Sequence, residues 1–346
     1  KMIKSASISK IAFFNAWWPW MEEAGCQSLI LHGWEDMPEI IPSDIDFAVS
    51  GVSPDQYLEL LDRYCAQCGW ELIQVIEHES DALYAICFQR GSQHSSIVLD
   101  VTWDYRRKGE VLIDNGTLFQ GRWKPNGKPF FSAAKEVEFL YDFVKSASKG
   151  KPVNEMRARL KPLFEESPDR CRKSLETWLN LKSGVAHQLE EARWSDIEKI
   201  YESSTAVVRL SHSRRIRMKE IKLYLRRVME PTGLIVSYPP EVSSESLKQI
   251  ADILKDAFRW IKIESRGAPL ITRWVRRWVR RWRSTLLLVP EASRGVVDLA
   301  LKNKLDSEEL RDDVVARNLA SQVLEYMSHR IGRQRLKSPL LSKSAG

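Results

Sequence analysis

An acidic pair set between apolar residues near the N-terminus constrains the fold of this chain more than any other feature. The run from Leu29 to Val49 holds one apolar stretch that ends at Gly33 and a second that contains Asp44 and Asp46. Side chains two positions apart on a strand point to the same face of the sheet. Neighbouring carboxylates repel each other unless one is protonated or a cation neutralises them. The pattern therefore predicts a strand that presents two aspartates to a divalent metal ion.

A third carboxylate is available on another β-rich segment. Asp100 interrupts the apolar run from Ser96 to Trp103, and an acidic residue in such a run is costly unless it faces a cleft or a cation. Magnesium prefers oxygen ligands and commonly shares them with substrate phosphates. Asp44, Asp46 and Asp100 are therefore the predicted metal ligands and catalytic residues, and phosphoryl or nucleotidyl transfer is the predicted chemistry.

This combination of a glycine turn, Asp44-x-Asp46 and a later strand aspartate resembles the polymerase-β-like nucleotidyltransferase superfamily. The resemblance implies an NTP as substrate and Mg²⁺ or Mn²⁺ as cofactor. The family usually has Ser or Gly directly after the motif glycine, where it contacts the nucleotide phosphates, whereas this chain has Trp34. The departure bears on nucleotide handling more than on metal binding.

Residues near the acidic pair are the predicted nucleotide contacts. The turn at Gly33 would let phosphates approach the backbone, and a basic helix face could hold the triphosphate. Lys145 and Lys149 lie four residues apart on the helix predicted for 132–149, so they share a face; ordinary surface lysines are the favoured interpretation of the pair, and phosphate binding is the alternative. The predicted nucleotide-binding set is Gly33, Trp34, Ser43, Lys145 and Lys149.

Length and charge predict more than one domain. A chain of 346 residues exceeds what a single core usually supports. Residues 1–150 contain 14 Lys+Arg against 21 Asp+Glu, a net charge of −7, whereas the remainder contains 39 against 25, a net charge of +14. An acidic half fits a metal-binding domain, and a basic half favours a polyanionic partner or the acidic half itself.

The element pattern predicts a mixed α/β (α+β) protein in three parts. Residues 1–153 are predicted to form a nucleotidyltransferase-like mixed sheet, which begins with a helix over 8–24 whose run of aromatic residues contains Pro19. Residues 154–229 are helical by pattern and form a helical connector. Residues 230–346 begin with an apolar strand, a loop and an amphipathic helix, the order of a phosphate-binding loop. The loop has Pro239, Pro240 and two glutamates where the glycines and lysine of that motif would stand, so it should not cradle ATP.

The arrangement as a whole resembles bacterial proteins, often encoded with surface-polysaccharide genes, that join a nucleotidyltransferase-like domain to a thymidylate-kinase-like P-loop domain. Leu-His-Gly-Trp-Glu at 31–35, Pro-Ser-Asp-Ile-Asp at 42–46 and Glu-Phe-Leu-Tyr-Asp-Phe-Val-Lys at 138–145 resemble the first domain. Pro-Thr-Gly-Leu-Ile-Val at 231–236 resembles the start of the second. The second domain is reduced and lacks the phosphate-binding lysine, so the resemblance implies common ancestry there and not kinase activity.

A basic tryptophan-rich segment, Arg273–Arg283, has no place in either motif. Its three tryptophans recur every four residues and would form one stripe of a helix, with arginines on the remaining face. Such a helix can lie on an anionic membrane, bind nucleic acid, or pack its tryptophans against its own domain or a partner. The last interpretation is favoured and the nucleic-acid one is least favoured.

The predicted function is Mg²⁺-dependent transfer of a nucleotidyl group from an NTP such as ATP to an unknown acceptor. The first alternative is a non-catalytic scaffold or regulator that binds a membrane or protein partner through the basic region. The second is a nucleoside-phosphate-type kinase. Five cysteines without a disulfide framework favour a reducing compartment, and no transmembrane segment or signal peptide is recognised. The expected location is the cytoplasm, with a peripheral position at the inner membrane face as an option.

Overall fold

The computed structural model describes most of the N-terminal two thirds of the chain and parts of the remainder. The described residues are 9–41, 44–79, 81–89, 95–107, 109–183, 187–212, 234–239, 241–255, 258, 260–263, 285–290, 299–300 and 312–336. Two predicted features, Ser43 and the Arg273–Arg283 segment, lie outside these residues.

The protein is mixed α/β, as the sequence predicts. The helices of the described residues are α1 (Lys10–Glu23), α2 (Pro54–Cys68), α3 (Asn115–Phe119), α4 (Lys135–Lys149), α5 (Val153–Glu166), α6 (Pro168–Ser183), α7 (Trp194–His212), α8 (Ser244–Leu254) and α9 (Asp312–Leu336). The strands are β1 (Gln27–Ile30), β2 (Ile45–Ser50), β3 (Trp70–Glu79), β4 (Ala82–Gln89), β5 (Ser96–Thr102), β6 (Tyr105–Arg107), β7 (Glu110–Ile113), β8 (Leu234–Tyr238), β9 (Trp260–Ile263), β10 (Thr285–Pro290) and β11 (Leu299–Ala300).

The first sheet has five strands in the order β1-β2-β5-β4-β3. Strands β2 and β5 are parallel, and the other neighbours are antiparallel. In this register Asp46 pairs with Asp100, and Asp100 pairs with Tyr84 of β4. Directly paired residues on neighbouring strands point to the same face, so the three side chains form a polar row across one face of the sheet.

Local sequence signals explain several helix boundaries near this sheet. Helix α2 begins with a capping box between Ser53 and Gln56 and ends at Gly69, whose φ of 71° is in the left-handed region. The same kind of glycine, Gly150, ends α4. The helix predicted over 8–24 is confirmed as α1, which continues through Pro19 while its aromatic residues pack into the core.

Helices α5, α6 and α7, which follow the first sheet in the chain, pack against α4. One apolar cluster joins Leu29 and Ala48 of the sheet to Phe143 of α4, Leu160 of α5 and Tyr201 of α7. The described part of the predicted connector therefore buries its apolar side against α4. The three domain limits remain predictions.

The second sheet is parallel throughout and has the order β11-β8-β10-β9. Its apolar core includes residues of α8 and α9, and this core also contains Ile73 and Ile86 of the first sheet. Helix α9 thus packs between α8 and β3. No helix among the described residues is both long enough and apolar enough to cross a membrane. All five cysteines are free thiols.

The loop after β8 leads to the N-terminus of α8, where side chains of the protein itself make the hydrogen bonds. Ser243 caps α8, and its hydroxyl accepts a hydrogen bond from the Ser246 backbone N–H. Asp312, the first residue of α9, accepts hydrogen bonds from the hydroxyls of Ser243 and Ser246, the second at 2.6 Å. These hydrogen bonds lower the pKa of Asp312. A carboxylate therefore already lies where a phosphate-binding loop would place its anion.

Candidate functional site

The polar row on the first sheet brings two of the predicted aspartates together. Asp46 and Asp100 are paired residues of β2 and β5, and their side chains are 13% and 14% exposed. Asp44 does not lie on the strand, contrary to the prediction, because pairing with β5 begins only at Ile45. It is exposed and stands one residue before β2. Burial, and then the charges of Asp100, Asp46 and Asp44, raise the pKa of Tyr84, so all three carboxylates lie near this phenol.

Asp46 is neutralised by groups from two other elements. One carboxylate oxygen, Oδ2, lies 2.8 Å from Lys145 Nζ and 2.9 Å from His32 Nε2. The other oxygen accepts a hydrogen bond of 3.4 Å from the Tyr141 hydroxyl. Burial raises the pKa of Asp46, but the His32 hydrogen bond and the Lys145 charge outweigh it and hold this pKa well below its usual range. Asp46 is therefore ionised in the folded protein.

His32 contacts charged groups through both ring nitrogens. Arg159 Nη2 lies 3.1 Å from Nδ1, and a guanidinium can only donate. Nε2 lies 2.9 Å from Asp46 Oδ2 and 3.2 Å from Lys145 Nζ. His32 therefore links Arg159 of α5 to the ion pair between Asp46 and Lys145.

Asp100 has a different environment from its neighbour. Its Oδ1 lies 2.9 Å from His78 Nε2 of β3, and the His78 ring packs 4.6 Å from the Tyr84 ring. Burial raises the pKa of Asp100, the His78 hydrogen bond opposes this shift, and the charge of Asp46 adds to it. The paired aspartates thus have pKa values shifted in opposite directions, an arrangement often found at functional sites.

Positive charge gathers on the side of the acidic pair that faces α4. Lys149 is exposed, yet partial loss of hydration and then the nearby charge of Lys145 lower its pKa. Asp46, Asp100 and Arg107 also act on the Lys149 charge. The ammonium groups that the sequence placed on one face of α4 therefore lie beside the acidic pair. For Lys145, the interpretation as an ordinary surface lysine is wrong, since its side chain is only 13% exposed.

The same helix carries two buried carboxylates one and two turns before Lys145. Asp142 is paired with Arg159 at 3.1 Å. Glu138 lies 3.5 Å from Lys135, and its Oε2 has no hydrogen-bond partner in the described part of the chain. Burial raises the pKa of Glu138 to about 7, against an opposing effect of Lys135. One face of α4 thus presents acidic groups followed by basic groups.

The turn between β1 and β2 lies beside this site. Gly33 has a φ of 68°, and a Cβ added there would meet no atom within 4 Å. The backbone at Gly33 is therefore in the left-handed region and is open to an approaching group. Trp34 is partly buried at the edge of the core; its ring packs edge-to-face on Trp123, and Lys135 Nζ lies 5.4 Å from the ring centre.

The donor atoms at the acidic pair suit magnesium in type. Asp46 and Asp100 offer carboxylate oxygens, and magnesium is commonly bound through one or two carboxylates plus substrate phosphates and water. The described residues contain no group of three or more His, Cys, Asp or Glu side chains arranged to hold a metal by themselves. The residues therefore fit a cation shared with phosphates better than one held by protein ligands alone.

The structure brings together a subset of the predicted residues and adds others. Asp46, Asp100, Lys145 and Lys149 converge, Asp44 lies at the edge, and Gly33 and Trp34 flank the site. Sequence reasoning missed His32, His78 and Arg159. His32 directly precedes the motif glycine, and that position was the available signal. His78 and Arg159 carry no local signal, because strand pairing and helix packing place them.

Comparison with known proteins adds no family assignment: no family model, curated protein or solved structure matches this chain.

Proposed function

We propose that the chain is a nucleotidyltransferase that moves a nucleotidyl group from an NTP to an acceptor hydroxyl or amine with Mg²⁺ or Mn²⁺. The observation that carries the proposal is the pairing of Asp46 with Asp100 on parallel strands, with Lys145 Nζ 2.8 Å from Asp46. Adjacent carboxylates beside an ammonium group can hold a metal–phosphate complex, because each charge in that complex then meets its opposite. Nucleotide-dependent chemistry is the activity that this charge pattern supports best.

Each residue near the pair has a role in this proposal. Asp46 and Asp100 would hold the cation, which would supply positive charge at the reacting phosphate. Lys145, which pairs with Asp46 in this structure, would contact the phosphates. Lys149 lies within the field of Lys145 and both aspartates and binds the same phosphates. The open backbone at Gly33 lets the phosphate chain approach.

The main alternative is a non-catalytic scaffold or regulator that retains the fold. Its supporting observation is that His32 and Lys145 already satisfy Asp46, as in a structural ion-pair network. The basic segment through which such a protein would bind a membrane or partner, Arg273–Arg283, lies outside the described residues. A kinase acting through the second sheet is less favoured, because Asp312 occupies the start of α8.

The deciding experiment combines metal binding with nucleotide transfer. Wild-type protein and Asp46→Asn/Asp100→Asn are heated with and without Mn²⁺ plus ATP, and α-³²P-labelled NTPs are incubated with each protein, Mg²⁺ and a cell extract. We expect Mn²⁺–ATP to raise the wild-type Tm and label to move to an acceptor. The double variant should lose both responses. Asp55→Asn, an exposed position in the first turn of α2, is the control and should behave as wild type.

Two results would contradict the proposal. A wild-type protein that shows a metal-dependent Tm shift but transfers no label from any of the four NTPs would favour the regulator. An unaltered response in the double variant would place any metal site elsewhere in the chain.

A further inference from the structure

Arg159 is held against the acidic pair in an unusual way. It comes from α5, in the segment that the sequence assigns to a helical connector. A single terminal nitrogen, Nη2, makes all its described contacts: 3.1 Å to His32 Nδ1 and 3.1 Å to Asp142 Oδ1 and Oδ2. The Asp142 side chain is only 4% exposed, so a buried carboxylate holds the guanidinium in place.

The other donors of Arg159 remain available. Its Nε and Nη1 make no hydrogen bond to any residue that the structure describes, and the side chain is 38% exposed. Two other arginines of the helical region have their partners away from the acidic pair. Arg157 Nε donates to Glu198 at 2.5 Å. Arg172 donates through Nε to the Ala192 carbonyl and through Nη1 to Asp169. Arg159 is the one of these three that combines open donor nitrogens with a contact to His32 at the charged site.

An arginine held in this way suits a phosphate ligand. Its unoccupied Nε and Nη1 groups can each donate a charge-assisted hydrogen bond to a phosphate oxygen. Its side chain is already ordered by Asp142, so little additional conformational freedom is lost on binding. Arg159 contacts Nδ1 of His32 and Lys145 lies 3.2 Å from Nε2, so the two cations lie on opposite sides of the same imidazole. Both cations can therefore face one polyphosphate.

We propose that Arg159 binds the polyphosphate chain of the nucleotide, which makes α5 part of the binding site. The proposal rests on the proposed function for the identity of the ligand, since the same N–H groups would also bind an inorganic polyphosphate. Asp142 is a positioning residue in this arrangement, because it contacts Arg159 and not the ligand.

The test measures binding without any requirement for catalysis. Affinities for ATP and for inorganic tripolyphosphate are measured by isothermal titration calorimetry in EDTA with wild type, Arg159→Gln, Arg159→Lys and the control Arg157→Gln. A hydrogen-bonded charge pair contributes about 1.5–3 kcal/mol, so Arg159→Gln should weaken both ligands by about 10-fold to 100-fold. Arg159→Lys keeps the charge but replaces two separate donor nitrogens with one compact ammonium group, so its affinities should fall between those of wild type and Arg159→Gln. Arg157→Gln should bind as wild type.

A folding defect is separated from a binding defect by a second variant. Arg159→Gln leaves the buried Asp142 unpaired, whereas Asp142→Asn/Arg159→Gln removes both charges and should restore the Tm without restoring polyphosphate binding. Wild-type affinity in either variant would overturn the proposal, as would absence of polyphosphate binding by the wild type. An effect on ATP alone would also overturn it, since it would place Arg159 on the base or sugar.

The outcomes for the two proposals are distinguishable. If the wild type binds tripolyphosphate through Arg159 but transfers no nucleotide, the proposed function fails and the phosphate contact stands. If transfer occurs and Arg159→Gln binds normally, only the Arg159 proposal fails.

Discussion

The two sheets of this protein use charge in opposite ways. The first sheet places Asp46 and Asp100 side by side on paired strands, and histidine, lysine and arginine side chains from other elements surround them. In the second sheet β8 and β10 carry no charged residue, and a charged contact lies at the start of α8, where Asp312 accepts hydrogen bonds. Both regions contain a carboxylate, and at the first sheet Arg159 and Lys149 lie close to it.

The difference shows that a protein can leave an anion-binding group open to a ligand or fill it with one of its own carboxylates. A helix start favours any carboxylate or phosphate. Where the chain supplies its own carboxylate, as Asp312 does for α8, no external anion is needed. Around Asp46 the ion pairs hold two aspartates of opposite pKa shift next to Lys149 and Arg159. On our proposals the first sheet binds an external anion, whereas the described start of α8 is satisfied by Asp312.

Among the substitutions that test this difference between the two sheets, a change at Lys145 should have the largest effect on stability. Lys145→Met removes the cation from a nearly buried ion pair and leaves Asp46 beside Asp100, so we expect a loss of about 3 kcal/mol in unfolding free energy at pH 7. Urea denaturation measures it. Asp46→Asn in the same protein should recover most of the loss. Lys149→Met, one turn further along α4, is the control and should cost little.

The effect of Lys145 should also depend on pH in a defined direction. The folded-state pKa of Asp46 is depressed, so its contribution to stability is present above the unfolded pKa and is lost as pH falls through the folded pKa. The gap between wild type and Lys145→Met should therefore narrow under strongly acidic conditions. A gap that stays constant with pH would show that Lys145 stabilises α4 by packing alone.

A smaller effect is expected at Glu138, a buried carboxyl group of α4. Its Oε2 lies 3.5 Å from Lys135 but has no hydrogen-bond partner in the described part of the chain. Burial raises its pKa from 4.5 to about 7, so the stability linked to its protonated form is present below pH 4.5 and is lost as pH rises through 7. Glu138→Gln should therefore gain stability relative to wild type between pH 4.5 and pH 8, by at most about 3 kcal/mol.

Urea denaturation at the two pH values checks the Glu138 prediction. The exposed Glu155→Gln of α5 is the control, and its difference from wild type should be small at both pH values. If Glu138→Gln is less stable than wild type at pH 8, the ion pair with Lys135 outweighs burial and Glu138 is ionised in the folded protein.

The smallest effect is expected in the second sheet. Asp312→Asn removes a carboxylate that accepts hydrogen bonds from two serines at the protein surface, so the Tm should fall only slightly. If the start of α8 is merely satisfied by its own carboxylate, the variant should bind tripolyphosphate no better than wild type. Asp313→Asn, which affects an ion pair with Arg317 instead, is the control. New polyphosphate binding by Asp312→Asn would mean that the second sheet holds a closed anion site.

Local patterns predicted much of the fold. Helix α2 was recognisable from Ser53-Pro54 and Gly69, and β3, β4 and β5 from their β-rich runs, because capping residues and alternation act over a few residues. Boundaries that depend on pairing were less accurate. Asp44 was placed on the strand because it lies two residues before Asp46, yet β5 has no partner for it there.

The candidate site divides in the same way. The sequence by itself determined the acidic residues, the Gly33 turn and the lysines of α4, because their residue types and spacing already indicate the chemistry. The three-dimensional structure shows that Asp46 and Asp100, but not Asp44, lie on directly paired positions of neighbouring strands, and that His78 contacts Asp100. It also decided that α5 would supply Arg159, 113 positions after Asp46 in the chain. These contacts come from strand register and from helix packing against α4, and neither is encoded in the residues adjacent to the side chains that they bring together.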